Sequence, residues 1–185
     1  MAQREFVFHT WGGARRGAGR KPNGARAGVP HLTRPTLAAR FPVHTTLRMS
    51  DGVWNLRSRR CFGALSRAIY SGATRFGFRL VHYAAMGNHV HLIVEAPDRK
   101  ALARAMKGLG VRIARALNRL MKRSGRVIAD RYHAHILKTP SEVRHARNYL
   151  TTNAHRHYGT PTPDPYVSVA AVVAPRTWLL ASLRL

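Results

Sequence analysis

From Phe41 onward the chain alternates: Val43, Thr45 and Leu47 take one side of an extended segment and His44, Thr46 and Arg48 the other, as a half-buried strand requires. The period then lengthens. Phe62, Leu65 and Ile69 recur at helical spacing and predict a helix over roughly 59–73. Two strand-like runs follow, 78–86 and 89–96, separated by Gly87-Asn88, which reads as a tight hairpin turn. Over 100–122 the helical period returns, with Leu102, Met106, Leu109, Ile113, Leu117 and Leu120 on one face and Arg104, Lys107, Arg115 and Arg119 on the other. A short strand is expected near 133–137. Thr139-Pro140-Ser141-Glu142 then opens a last helix, with Thr139 or Ser141 as its cap and Pro140 in the first turn.

The order strand, helix, strand, strand, helix, strand predicts an α+β fold. It is the ferredoxin-like split βαβ domain, an antiparallel sheet with two helices on one face, plus a C-terminal helix bearing Tyr149. That architecture hosts many activities, so function has to be read from side chains. Residues 41–158 are expected to form the domain. Residues 159–185 form a Pro-rich and then apolar tail that packs back on the domain or on a partner. Residues 1–40 are expected to be a basic, largely disordered arm, because GGARRGAGRKPNGARAGVPHLTRP lacks any apolar period. Such an arm makes sequence-independent phosphate contacts, or places Arg15, Arg16, Arg20 and Lys21 in a minor groove.

Charge sharpens the choice of partner. Thirty-two Lys and Arg against seven Asp and Glu, in 185 residues, give a formal charge of +25, which favours a polyanion and above all nucleic acid. Membrane is disfavoured: the longest apolar stretch, around Val167 to Ala174, is far short of the ~20 residues a spanning helix needs. Arg4 and Glu5 interrupt any signal peptide, and the single Cys61 excludes an internal disulfide framework. A cytoplasmic, nucleoid-associated protein is expected. The seven carboxylates are scattered, which argues against a nuclease built on two metals held by clustered acids. Histidine, with eleven copies, is the alternative ligand.

Two histidines stand out by position. In Met86-Gly87-Asn88-His89-Val90-His91-Leu92-Ile93-Val94, His89 and His91 share one face of a strand while Val90, Leu92 and Val94 share the other. Both imidazoles can reach one divalent cation, although paired histidines on a solvated sheet are common without ligation. On the last helix His145, Tyr149, Asn153 and His157 recur every fourth residue, beside an apolar stripe of Val143, Ala146, Leu150 and Ala154. Tyr149 is then either a core-edge tyrosine or a nucleophile, with Asn153 a possible ligand through its amide oxygen. A phenol ionises only near pH ~10, so attack at neutral pH needs a Lewis acid on the electrophile. Two imidazoles and an amide suit Mg²⁺ or Mn²⁺ and leave positions open. His133-Ala134-His135 is a second His-x-His, without a following apolar run, and is assigned to DNA contact or packing. His44-Thr45-Thr46 suggests a two-histidine phosphoesterase, but no partner His-x-Ser/Thr is found for it.

MGNHVHLIVE resembles the His-hydrophobic-His motif of the HUH single-tyrosine transposases, and ARNYLTTN resembles their tyrosine helix. The likeness is closest to the bacterial REP-associated tyrosine transposases. It extends through GRVIADRYHAHILKTPSEVRHARNYL and the basic RRGAGRKP and GVPHLTRP, so that it covers about Arg15 to His157. The resemblance implies metal binding by His89 and His91, with Asn153 as a further ligand. It implies that Tyr149 is the nucleophile that forms a 5′-phosphotyrosine link. It further implies single-stranded, hairpin-forming palindromes as substrate, with DNA contacts by the arm, Lys107, Arg115, Arg119, Arg131 and His133, in a monomer or homodimer. Gly87 stands where that family commonly has proline before Asn-His, and Ala154 where proline often follows the Asn of the tyrosine helix. A non-catalytic, domesticated binder of DNA or RNA hairpins is the alternative function.

Overall fold

A computed structural model of the chain describes residues 33–75, 77–159, 163–168 and 170–181. They belong to the second of two units into which the chain divides, Met1–Pro30 and His31–Leu185. Arg15, Arg16, Arg20 and Lys21, and with them the expected arm, lie outside the described residues.

The elements run β1 (Val43–Arg48), α1 (Arg59–Ser71), β2 (Thr74–Arg75), β3 (Phe78–Ala85), β4 (His89–Glu95), α2 (Arg99–Leu120), β5 (His133–Ile136), α3 (Pro140–Tyr158) and the short α4 (Trp178–Ala181). One sheet has the order β2-β3-β4-β1-β5 with antiparallel pairs. Strand β4 is thus inserted between β1 and β3, the two strands that α1 connects, which is the split βαβ arrangement. The two-residue β2 is an addition at the edge that the sequence pattern did not announce.

The alternation read from the sequence separates the two faces. Val43, Leu47, Leu80, Tyr83, Ala85, Val90, Leu92 and Val94 pack with Leu65, Ile69, Leu102, Met106, Leu109, Ile113 and Leu117 in one core under α1 and α2. On the other face Val81, Ala84 and Ile93 pack with Val143, Ala146 and Leu150 of α3 and with Leu179 and Leu180 of α4. Helix α3 therefore covers the face opposite α1 and α2. A bulge between Leu80 and His82 interrupts the β3–β4 register, so Val81 and His82 share a side in succession.

Local signals set the helix ends. Thr139 caps α3 in a capping box: its hydroxyl accepts from Glu142 N while the Glu142 carboxylate accepts from Thr139 N. Asp98 and Ser58 cap α2 and α1 through Ala101 N and Cys61 N. After α3 the tail returns along the outer edge of β3. Ala85 N donates to Tyr166 O, Ser168 N to Tyr83 O and Val172 N to Val81 O, so the tail covers backbone that would otherwise be an open strand edge. The Glu95 carboxylate, 3% exposed, accepts from Arg176 N, Thr177 N and the Thr177 hydroxyl, which pins the tail further on.

No helix among the described residues is long and apolar enough to cross a membrane.

Candidate functional site

The β3–β4 hairpin closes with Met86 N donating to His89 O across Gly87-Asn88. Strand β4 leaves this turn with His89 and His91 on the α3 face and Val90 and Leu92 in the other core. The two imidazoles face each other, with Nε2 atoms 3.0 Å apart. Their Nδ1 atoms are engaged elsewhere. Asn88 Oδ1, 2.8 Å from His89 Nδ1, can only accept, so Nδ1 carries the hydrogen and His89 Nε2 presents a lone pair. His91 Nδ1 lies 3.1 Å from Thr46 Oγ1 and 3.2 Å from His44 Nε2, so His91 can hold the same tautomer.

Burial keeps these rings neutral. It pushes His91 down to about 3, aided by His89 and His44, and His44 down to about 4, aided by His135 and His133. His89 is lowered too, by burial and then by His157 and Arg48.

Helix α3 brings Tyr149 against His91 and His44. Its ring centroid lies 5.1 Å from that of His91 and 6.0 Å from that of His44, both edge-on, and the residue is 38% exposed. Asn153, one turn on, is 2% exposed, and its Nδ2 is buried without a hydrogen-bond partner among the described residues. Along the four-residue recurrence the exposure differs: Asn153 is buried with Leu150 and Ala154, whereas His145, Tyr149 and His157 are exposed. Four-residue spacing fixes only the helix side, and the way α3 meets the sheet decides which of these residues is covered.

At its C-terminal end α3 is fastened to the hairpin. Gly87 N donates to the Tyr158 hydroxyl at 3.1 Å, and a Cβ at Gly87 would come 3.2 Å from that oxygen. The Arg57 guanidinium lies over the rings of Tyr158 and Tyr166, 5.0 and 4.4 Å from their centroids. It also binds the Asp164 carboxylate through both Nη atoms, at 2.7 and 3.0 Å, and donates to Ala85 O.

Other expected contact residues are distributed over both faces. His133 and His135 pair with Thr46 and His44, so the second His-x-His shares the sheet face of the first and stands exposed beside it. Arg131 is half-buried just ahead of β5. Lys107, Arg115 and Arg119 are exposed on α2, across the sheet from the histidines. Sequence reasoning passed over His44 and Thr46 as supports of His91; their only signal was the alternation that put both on the histidine side of β1. Among the described residues no group of three or more His, Cys, Asp or Glu is arranged to hold a metal ion.

No curated protein matches the chain. Among solved structures, it is similar to a REP-associated tyrosine transposase bound to a REP hairpin, at 14% identity and a TM-score of 0.63, over 76% of this chain and 83% of that one. At that identity the likeness speaks for the fold. A further crystal structure, of a transposase candidate from Deinococcus radiodurans R1, aligns at 16% identity and a TM-score of 0.45, over 66% of this chain and 94% of that one. The family model described as "Transposase IS200 like" matches residues 54–153, more than half of the chain and the stretch from the loop before α1 to Asn153, and the chain therefore belongs to the IS200-like transposase family.

Proposed function

We propose that the chain cleaves and rejoins single-stranded, hairpin-forming DNA, with Tyr149 as nucleophile and with His89, His91 and Asn153 holding Mg²⁺ or Mn²⁺. The observation that carries this reading is the packing of the Tyr149 ring, 5.1 Å from His91, beside two imidazoles whose Nε2 atoms converge. The donor set fits a divalent cation. Two bonds of about 2.1 Å at a right angle separate their donor atoms by about 3.0 Å, and the Nε2 atoms here are 3.0 Å apart. Both rings are neutral at physiological pH, with Nδ1 tied in the way that metal-binding histidines are oriented. The buried Asn153 amide has an unpartnered end, and rotation of the amide would offer its oxygen there. A cation so held supplies Lewis acidity at the scissile phosphate.

The chain's own residues do the rest. Tyr149 Oη forms a bond to phosphorus while the P–O3′ bond breaks, giving a 5′-phosphotyrosine. The phenol releases a proton and the departing 3′ oxygen takes one, so the exchange is balanced and reversible. Rejoining runs the same step with a 3′-hydroxyl attacking the phosphotyrosine. A single chain supplies the whole set, which supports action by a monomer or by each half of a homodimer. The excess of Lys and Arg and the charge of +25 support DNA as partner and the nucleoid as place of action.

The test is a labelled single-stranded hairpin incubated with protein and Mn²⁺ and run on a denaturing gel. The wild type yields a covalent adduct that requires the metal. Tyr149→Phe yields none and binds the hairpin within about threefold of wild type, because the hydroxyl makes few contacts before reaction. Equal cleavage by the variant would rule Tyr149 out, and hairpin binding without any adduct would leave a non-catalytic binder.

A further inference from the structure

The Gly87-Asn88 turn is gripped from three sides. Met49 N donates to Asn88 O at 2.8 Å and Leu56 N to Gly87 O at 2.9 Å, so the end of β1 and the loop before α1 hold its carbonyls. The third contact comes from α3, whose Tyr158 hydroxyl accepts from Gly87 N at 3.1 Å. The same turn carries Asn88, whose Oδ1 orients His89 from 2.8 Å. Tyr158 is the last residue of α3, ahead of the left-handed Gly159 that ends the helix, and stands about 14 Å along the axis from Tyr149. At the other end Leu137 N donates to Pro42 O and the capping box follows directly, so α3 leaves the sheet at a fixed place. The helix that presents Tyr149 is therefore tied at its finish to the histidine hairpin.

We propose that Tyr158 is a positioning residue: its hydroxyl, held by the Gly87 N–H, fixes where Tyr149 stands relative to His89 and His91. The proposal rests on the tyrosine chemistry above and adds to it the joint that sets its geometry. A helix moored at one end pivots, and a shift of about 1 Å at a reacting group costs on the order of 100-fold in rate. Removing the hydroxyl alone costs less, because the Arg57 guanidinium still has the ring to lie over. The fit is close on the hairpin side. A Cβ at Gly87 would come 3.2 Å from the hydroxyl oxygen, and a proline there would also have no N–H to give. Tyr158 is 50% exposed, so the bond adds little to the stability of the whole fold. Its effect is local. When it is lost, the turn keeps its two other holds, and the change falls on the end of α3.

The experiment measures the single-turnover rate of adduct formation with a labelled hairpin, at hairpin and Mn²⁺ concentrations that saturate each protein. Proteins compared are the wild type, Tyr158→Phe, Gly87→Pro and the double variant, all as the full chain. Tyr158→Phe is expected to slow the step by about tenfold while the hairpin Kd stays within about twofold. A role in stability alone would move the urea midpoint and leave the saturated rate at the wild-type value, and that result overturns the proposal. Gly87→Pro should slow the step as well, and the double variant should be no slower than the slower single variant, because both changes remove one bond. Losses that multiply overturn it. A readout without metal or DNA accompanies these rates: exchange of the Gly87 amide proton, followed by NMR, should be about three- to tenfold faster in Tyr158→Phe. Unchanged exchange means that the hydroxyl does not hold this amide, and overturns the proposal too. A wild type that forms no adduct sinks the tyrosine chemistry itself, whereas a full rate in Tyr158→Phe sinks the joint alone.

Discussion

Thr46 and His44 flank His91 on the same sheet face, with Thr46 Oγ1 3.1 Å and His44 Nε2 3.2 Å from its Nδ1. A hydrogen on that Nδ1, given to either of them, leaves Nε2 with its lone pair toward His89. Thr46→Val keeps the shape of the side chain and removes the hydroxyl. It is expected to weaken Mn²⁺ binding by about 10- to 100-fold, the usual cost of losing such a support, as read from the rise in melting temperature with added Mn²⁺. An undiminished rise would mean that His44 alone orients the ring, or that His91 is no ligand. The two departures from the family pattern also make sense together at this scale. Gly87 has an N–H to give to Tyr158, which proline would lack, and Ala154 lets α3 run on to Tyr158.

Helix α3 carries Tyr149, and two devices hold it: the apolar seat of Val143, Ala146, Leu150 and Ala154, and the Arg57 fastening at its far end. The Arg57 and Asp164 side chains are 9% and 1% exposed, so removing one leaves the other buried without its partner. Arg57→Ala is expected to cost on the order of 3–5 kcal/mol of stability, measured by urea unfolding, and a change below about 1 kcal/mol would show that the carboxylate finds other donors. Much of this element was legible in the sequence. The Thr139-Pro140-Ser141-Glu142 start, the apolar stripe and the tyrosine each follow from local chemistry. The inward turn of Asn153 was not legible, since it depends on how the helix meets the sheet. Nor was the partnership of Arg57 with Asp164, which lie 107 positions apart and carry no shared pattern. The histidine strand was readable for the opposite reason: strict alternation over β4 assigns each side chain to a face before any partner is known.

The whole molecule carries a further consequence of burying imidazoles. His44 and His82 are pushed down to about 4 and His91 to about 3, each chiefly by burial, against about 6.5 when unfolded. Between those values the unfolded chain binds protons that the folded chain refuses. The stability is therefore fully present above about pH 6.5 and is lost progressively as pH falls toward 4. Urea midpoints should drop over that window, and His82→Gln, away from the proposed ligands, should flatten the drop by roughly a quarter if the four lowered rings, His89 among them, contribute alike. A midpoint independent of pH from 7 to 4.5 would mean that these rings stay hydrated when folded. The tail that runs along β3 has its own consequence. Tyr166, Ser168 and Val172 occupy backbone groups of Val81, Tyr83 and Ala85 that could equally well pair with another molecule. Ending the chain at Pro165 removes this built-in stopper while retaining Asp164. The shortened protein is expected to self-associate by strand addition, seen as light scattering that grows with concentration, and a shortened protein that stays monodisperse would show that β3 is guarded by other means.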